Sequence, residues 1–415
     1  VQILSSNLVQ NGDFSEEGVQ EVSNGSFSQE GAEQITNGDF SNGSTGWSVG
    51  TGITISSQAN FTSVSGSYIT QNILTAGKTY KLTFNITEYT SGTLIVFGGA
   101  GNNIGSSLSL NAVGSYTTYF VAGGFDSKIY FGNVFTGSID NVSVREVGQD
   151  WTLGTGWSIG EDKAVATNVP NGQRLQTSAI IPSVIGNTYK YSLNISNISG
   201  AYTLYVYGVN VLVSVSTEGI VEGYVTATST NGAIYVSGAT VGGLVSADIT
   251  NISVKEVLQD WTATNSVISN PNNQLKVDDT QNLGYDSRAS QTISTTSGKS
   301  YKLTFDRIST TSSFWLAVGS GNPNPYVDIF RQDLGTDTGV YELEFIAISS
   351  TTTISLMTGG TGISVFDNAS LIEITTDTNL PRINYEGFSY QDALGSEEIV
   401  NGDFSNGSTD WQTEG

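Results

Sequence analysis

Two carboxylate pairs are the groups in this 415-residue sequence whose type and spacing could run catalysis. Asp328 with Asp333, or Glu342 with Glu344, could act as acid and base or nucleophile in glycoside hydrolysis, which needs two carboxyl groups across one sugar bond. Nothing around them separates them from solvated strand residues, so no catalytic residue is assigned. The chain has no histidine and no cysteine. That excludes imidazole acid–base chemistry, Ser-His-Asp and Cys-His nucleophiles, His or Cys zinc sites and disulfides.

Binding chemistry is better supplied. Sugar recognition needs exposed aromatic rings for the apolar faces of pyranoses, with amides and carboxylates for the hydroxyls. In residues 202–207, strand alternation would bury Tyr202, Leu204 and Val206 and expose Tyr205 and Tyr207. Residues 314–316 and 324–326 add Trp315 and Tyr326. The competing reading is that these outer faces pack on a neighbouring module or subunit.

With 38 acidic and 15 basic residues, the net charge is −23, with no run of Lys or Arg. Nucleic acid and anionic membrane surfaces are therefore disfavoured, and neither is expected as a partner, because both are held by neutralising phosphates. No apolar run approaches the length of a membrane span.

The elements that must position these residues repeat. Gly-Lys-Thr-Tyr-Lys-Leu-Thr-Phe at 77–84 returns as Gly-Asn-Thr-Tyr-Lys-Tyr-Ser-Leu at 186–193 and Gly-Lys-Ser-Tyr-Lys-Leu-Thr-Phe at 298–305. The central tyrosines are spaced 189 − 80 = 109 and 301 − 189 = 112. Each unit closes on a related run: Asp140-Asn141-Val142-Ser143-Val144, Asn251-Ile252-Ser253-Val254 and Asp367-Asn368-Ala369-Ser370-Leu371. Short alternating runs of Thr, Val, Ile, Tyr and Phe, broken by Gly, Asn and Ser, predict an all-β protein of tandem jelly-roll-like β-sandwiches. The expected modules are 36–147, 148–257 and 258–374. Trp47, Trp151 and Trp261 would plug one end of each.

A shorter repeat opens the chain. Asn-Gly-Asp-Phe-Ser at 11–15, Asn-Gly-Ser-Phe-Ser at 24–28 and Asn-Gly-Asp-Phe-Ser at 37–41 are 13 residues apart, with Val9, Val22 and Ile35 two positions ahead. Such a unit has too little to bury alone and must pack on something else. The expectation is an N-terminal short-repeat β segment over 1–35, used for assembly, in which Phe14 and Phe27 bury against another copy or another protein, most plausibly about a threefold axis. The alternative is a tandem linker. The pentapeptide recurs at 401–405 before Trp411, so 375–415 reads as a connector and the start of a fourth module. The chain reads as a segment of a longer polypeptide.

The Asn-Gly-Asp-Phe-Ser opening followed by Trp, the Gly-Lys-Thr-Tyr-Lys-Leu-Thr-Phe strand and the Asp-Asn-Val-Ser-Val strand resemble the jelly-roll carbohydrate-binding modules attached to glycanases. The stacked Asn-Gly-Asp-Phe units and Asn379-Leu380-Pro381-Arg382-Ile383-Asn384-Tyr385 resemble long virion proteins of tailed phages of Bacteroidetes-type hosts. The module family often holds a structural calcium near the opening Phe-Glu and the closing Asp. Here Ser41 replaces that Glu and Thr250 stands where Asp140 stands in the first module, so no cofactor is assigned. The resemblance implies a non-enzymatic fibre or appendage protein on the virion surface, a homotrimer partnered by other virion proteins, with modules for host-surface glycans. The alternative it leaves open is a carbohydrate-binding accessory region of a secreted polysaccharide-degrading enzyme or adhesin.

Overall fold

The computed structural model describes residues 2–4, 6–63, 65–104, 108–213, 218–238, 244–284, 286–320, 328–376, 382–384, 387–389 and 411. Among them the chain is all-β, with one 3-10 turn at Pro271–Asn273. Three antiparallel sandwiches follow one another. In the first, the sheet Gly114–Val121, Thr79–Gly92, Phe135–Val147, Ala59–Thr62, Ile53–Ile55 faces the sheet Ser48–Val49, Tyr68–Asn72, Lys128–Gly132, Ile95–Gly98. The second is organised about the neighbouring strands Thr188–Ser199 and Leu244–Val257, the third about Ser300–Thr310 and Ile363–Thr376.

The repeated motifs occupy the middle of each sandwich for physical reasons. Tyr80, Tyr189 and Tyr301 are buried in the central strands. Each hydroxyl accepts the backbone N–H of the residue five positions earlier, Thr75, Val184 or Thr296, at 3.0, 3.3 and 2.8 Å. A buried phenol needs such a partner, and here it also ties down the turn that enters the strand. Val144, Val254 and Leu371 of the closing strands are fully buried. Just before them the ladder slips at Asn141, Asn251 and Asn368, whose φ angles are 53°, 53° and 50°. Asparagine tolerates this left-handed conformation, which explains its place in the closing motif.

The 13-residue repeats do not form a segment of their own. Each supplies an edge strand to a sandwich of the same chain, in reverse order. Glu30–Glu33 pairs with Phe135–Val147 of the first sandwich, Glu17–Gln20 with Leu244–Val257 of the second, and Gln2–Leu4 with Ile363–Thr376 of the third. Phe40, Phe27 and Phe14 then bury against Trp47, Trp151 and Trp261, at ring-centroid distances of 5.3, 5.1 and 5.4 Å. The intermolecular burial expected for Phe14 and Phe27 is thereby corrected, since both rings are already enclosed by their own chain. A repeat is indeed too small to order itself. What it lacks is supplied by a distant closing strand, 145 − 33 = 112 residues away in the first sandwich, 255 − 20 = 235 in the second and 376 − 2 = 374 in the third.

The three docking geometries share their central contacts. Gly38, Gly25 and Gly12 accept the N–H of Val142, Ile252 and Ala369 through their carbonyls at 2.9, 2.9 and 2.8 Å. A Cβ on these glycines would lie 1.9, 1.9 and 2.0 Å from the carbonyl oxygens of the same three residues, so only glycine fits. The side chains of Glu33, Gln20 and Asn7 accept the N–H of Val144, Val254 and Leu371, each at 2.9 Å. The first sandwich with its repeat is therefore an insertion within the second, and both lie within the third. The chain accordingly has two compact units, residues 17–259 and residues 1–16 with 260–415.

Removing a buried phenylalanine costs about 3–5 kcal/mol. Phe27→Ala should therefore raise hydrogen exchange in Thr188–Ser199 and Leu244–Val257 while leaving Ser300–Thr310 protected, and Phe14→Ala should do the reverse. Exchange read by mass spectrometry on the intact protein checks both.

Candidate functional site

Strand alternation in the sheets away from the docked repeats decides which aromatics face outward. In the second sandwich, Tyr202, Leu204 and Val206 point into the core and Tyr205 is half-buried on the outer face. Directly across the ladder is Tyr235, also half-buried. The two rings lie parallel, 5° apart, with centroids at 4.5 Å. The guanidinium of exposed Arg174, on the next strand, sits 4.0 Å from the Tyr235 centroid. The result is a row of Arg174, Tyr235 and Tyr205 across three strands. The Tyr205 face turned away from Tyr235 looks toward Val209–Val213, where Asn210 is its register partner.

Tyr207 departs from the expectation. Its φ is 46°, which ends the alternation and turns the ring inward against Tyr189, at 4.5 Å between centroids. It is fully buried, so it cannot be a ligand platform. Burial raises the pKa of both Tyr207 and Tyr202, and neither hydroxyl has a hydrogen-bond partner among the described residues.

The same outer face in the first sandwich carries Tyr68, Phe97 and Tyr130, each half-buried, packed edge to face with centroids 5.8–6.2 Å apart. Tyr130 donates a short hydrogen bond to Asp126, which raises the tyrosine pKa to about 12. A shallow cavity of about 390 Å³, bordered by Gly50, Thr51, Ser67, Tyr68, Thr70 and Tyr130, adjoins this cluster. In the third sandwich the corresponding ladder pair is Ala317 and Ser355, small and buried. Trp315 is half-buried and stacked by Arg331, 4.8 Å from its ring centroid, while its Nε1 donates to Ser313 Oγ. Arg331 in turn is held by Asp286 at 2.9 Å. Trp315 is thus capped by its own sandwich. Tyr326 lies outside the described residues.

Sequence reading named Tyr205, which lies on the outer face, and did not name its outer-face neighbours Tyr235 and Arg174 or the cluster of Tyr68, Phe97 and Tyr130. The same two-face pattern is present in residues 95–98 and 128–131, and it becomes informative once the ladder sets these strands side by side.

A groove of about 680 Å³ between the first and second sandwiches is lined by Lys81, Tyr119, Glu161, Lys163 and Asp248, among others. Its lysines are paired: Lys163 with Asp248 at 3.1 Å and Lys81 with Glu30 at 2.6 Å. Gly160 packs on the Tyr119 ring, where a Cβ would come within 3.2 Å. These contacts make the groove a joint between sandwiches.

The calcium implied by the module resemblance does not fit the residues present. Among the described residues no group of three or more Asp, Glu, His or Cys could hold a metal ion. Asp39 is turned onto the N–H and hydroxyl of Ser41, at 3.2 and 3.0 Å, and Asp140 onto the N–H of Asn141 at 2.7 Å. Three of the four carboxylates named for hydrolysis are engaged as strand and turn residues. Asp328 binds Ser320 at 2.7 Å, Asp333 caps Gly335 at 2.9 Å, and Glu342 pairs with Lys302 at 2.9 Å.

No family model and no curated protein matches the chain. Among solved structures it is similar to one titled "CBM4 structure and function", at 16% identity over 27% of this chain and 86% of that one, with a TM-score of 0.22. It is also similar to the tandem CBM22-1–CBM22-2 domain of Paenibacillus barcinonensis Xyn10C, at 10% identity over 55% and 93% of the two chains and a TM-score of 0.21. A third is a triple jelly roll in the turret assembly of an archaeal virus, at 11% identity over 76% and 84% and a TM-score of 0.16. Likenesses of this size carry no argument about what the protein does.

Two outcomes follow from this geometry. Tyr207→Phe removes an unpartnered buried hydroxyl and should leave stability unchanged or raise it by about 1 kcal/mol, read as the thermal midpoint. Tyr130 should ionise near 12 and Asp126→Asn should lower that value toward the ordinary 10, read by NMR of ring-labelled tyrosine.

Proposed function

We propose that this chain is a non-enzymatic, glycan-binding region in which the outer sheet faces of the first two sandwiches receive sugars. The row of Arg174, Tyr235 and Tyr205 carries this reading. Tyr235 is covered by Tyr205 on one side and Arg174 on the other, so the ring face offered to a pyranose is that of Tyr205 turned toward Val209–Val213, with the Arg174 guanidinium for the hydroxyl rim. Gln176, the register partner of Tyr235, adds an amide on the same face. The charge of −23 favours a neutral polysaccharide over a polyanionic one, which the whole molecule would repel.

The setting we favour is a virion fibre or appendage on the particle surface, attached to other virion proteins and used against host-surface glycans. The stacked Asn-Gly-Asp-Phe units and the 379–385 run support it by resemblance. A homotrimer belongs to that setting; Phe14 and Phe27, enclosed by their own chain, no longer argue for it. The second reading, an accessory region of a secreted polysaccharide-degrading enzyme or adhesin, is favoured by the same outward aromatics.

Affinity electrophoresis of the full chain against neutral and acidic polysaccharides tests the binding claim. Retardation by at least one neutral polysaccharide is expected, with Tyr205→Ala and Tyr235→Ala each weakening it at least tenfold at an unchanged thermal midpoint. Tyr207→Phe should bind as the parent does. Absence of retardation across the panel, or retardation indifferent to both alanine variants, would overturn the assignment.

A further inference from the structure

Three nearly identical repeats face three nearly identical docking edges in one chain, which poses a pairing problem. A repeat on the wrong sandwich would keep the same glycine contact and the same Phe–Trp packing, so those features cannot discriminate. What differs between the edges is charge. On the first edge, Glu30 meets Lys81 at 2.6 Å and Arg145 at 3.7 Å, and Glu33 meets Arg145 at 3.5 Å. On the second, Glu17 is gripped by Lys190 at 3.0 Å and Lys255 at 2.9 Å, while Gln20 stands where Glu33 does. On the third, the register position of Glu17 and Glu30 is Leu4, that of Gln20 and Glu33 is Asn7, and that of Lys255 and Arg145 is Ile372. Lys302, which corresponds to Lys81 and Lys190, is turned away onto Glu342 at 2.9 Å.

Repeat and edge have changed together. Two carboxylates meet Lys and Arg, one carboxylate meets two Lys, and none meets an edge with Ile. We propose that this graded charge match decides which repeat each sandwich accepts, with Glu17, Glu30, Lys255 and Arg145 as the specificity-determining residues. The glycine and phenylalanine contacts supply adhesion common to all three, and the charges supply the difference. A carboxylate brought to the third edge would lose one basic partner to Ile372 and find the other engaged. Leu4 brought to the second would strand two lysines.

Hydrogen exchange on the full-length chain at low salt tests this. Glu17→Lys should accelerate exchange at Glu21 and across residues 252–257 at least tenfold and leave Ser300–Thr310 unchanged. Reversing the edge as well, with Lys190→Glu and Lys255→Glu, should return it to within threefold of the parent. Because the reversed chains carry several changes, a milder set provides a second reading. Glu17→Leu and Lys255→Ile should each accelerate exchange alone, whereas together they recreate the third pairing and should exchange more slowly than either. Raising salt to about 0.5 M should shrink all these differences, since screening then reaches within a few ångströms. The proposal is overturned if the single variants stay within threefold of the parent, or if neither matched combination is slower than its mismatched singles.

Discussion

One contact organises this molecule: the Asn-Gly turn of each N-terminal repeat lying against the closing strand of a sandwich. The glycine carbonyl takes the N–H of Val142, Ile252 or Ala369, and the strand carbonyl beside it leaves no space for a side chain. The left-handed asparagine in the closing strand opens the ladder at that point. From this contact follow the enclosure of Phe40, Phe27 and Phe14 and their packing on Trp47, Trp151 and Trp261. Without it each sandwich would present an unpaired edge, the feature that β proteins most need to cover.

The nested order has a geometric basis. Glu30 is the register partner of Val147, and Glu17 that of Val257. The two ends of each inserted block are therefore neighbours, the condition under which one domain can sit inside another without strain. The docked repeats also leave the outward aromatics untouched, because those lie on the opposite sheets. Docking contacts and outward aromatics occupy separate faces, so the second can vary while the first stays constant. Phe97 with Tyr130, Tyr205 with Tyr235, and Ala317 with Ser355 are that variation at one pair of positions.

Much of the architecture was legible in the residues. Tyr80, Tyr189 and Tyr301 mark equivalent central strands because a buried phenol tied by hydrogen bonds tolerates little change of place. The partners of the repeats were not legible. A 13-residue period says that units are alike, whereas strand pairing across more than a hundred residues leaves no local pattern, and the matched charges of Glu17 with Lys190 and Lys255 and of Glu30 with Lys81 hint at it. Tyr207 was misplaced because alternation holds only while the backbone stays extended, and a positive φ at the strand end turned it inward. Trp315 was read as open because its cap, Arg331, arrives from a strand beyond it.

The central claim is that each sandwich is completed by a distant repeat of its own chain. Its most direct test is to excise residues 30–147 as one block and join Gln29 to Gly148, then follow thermal unfolding and hydrogen exchange of what remains. The account predicts that Thr188–Ser199 and Ser300–Thr310 keep the protection they have in the parent, because the cut removes one complete sandwich with its own repeat. Loss of protection in Thr188–Ser199, at the level produced by removing residues 17–29 instead, would contradict it.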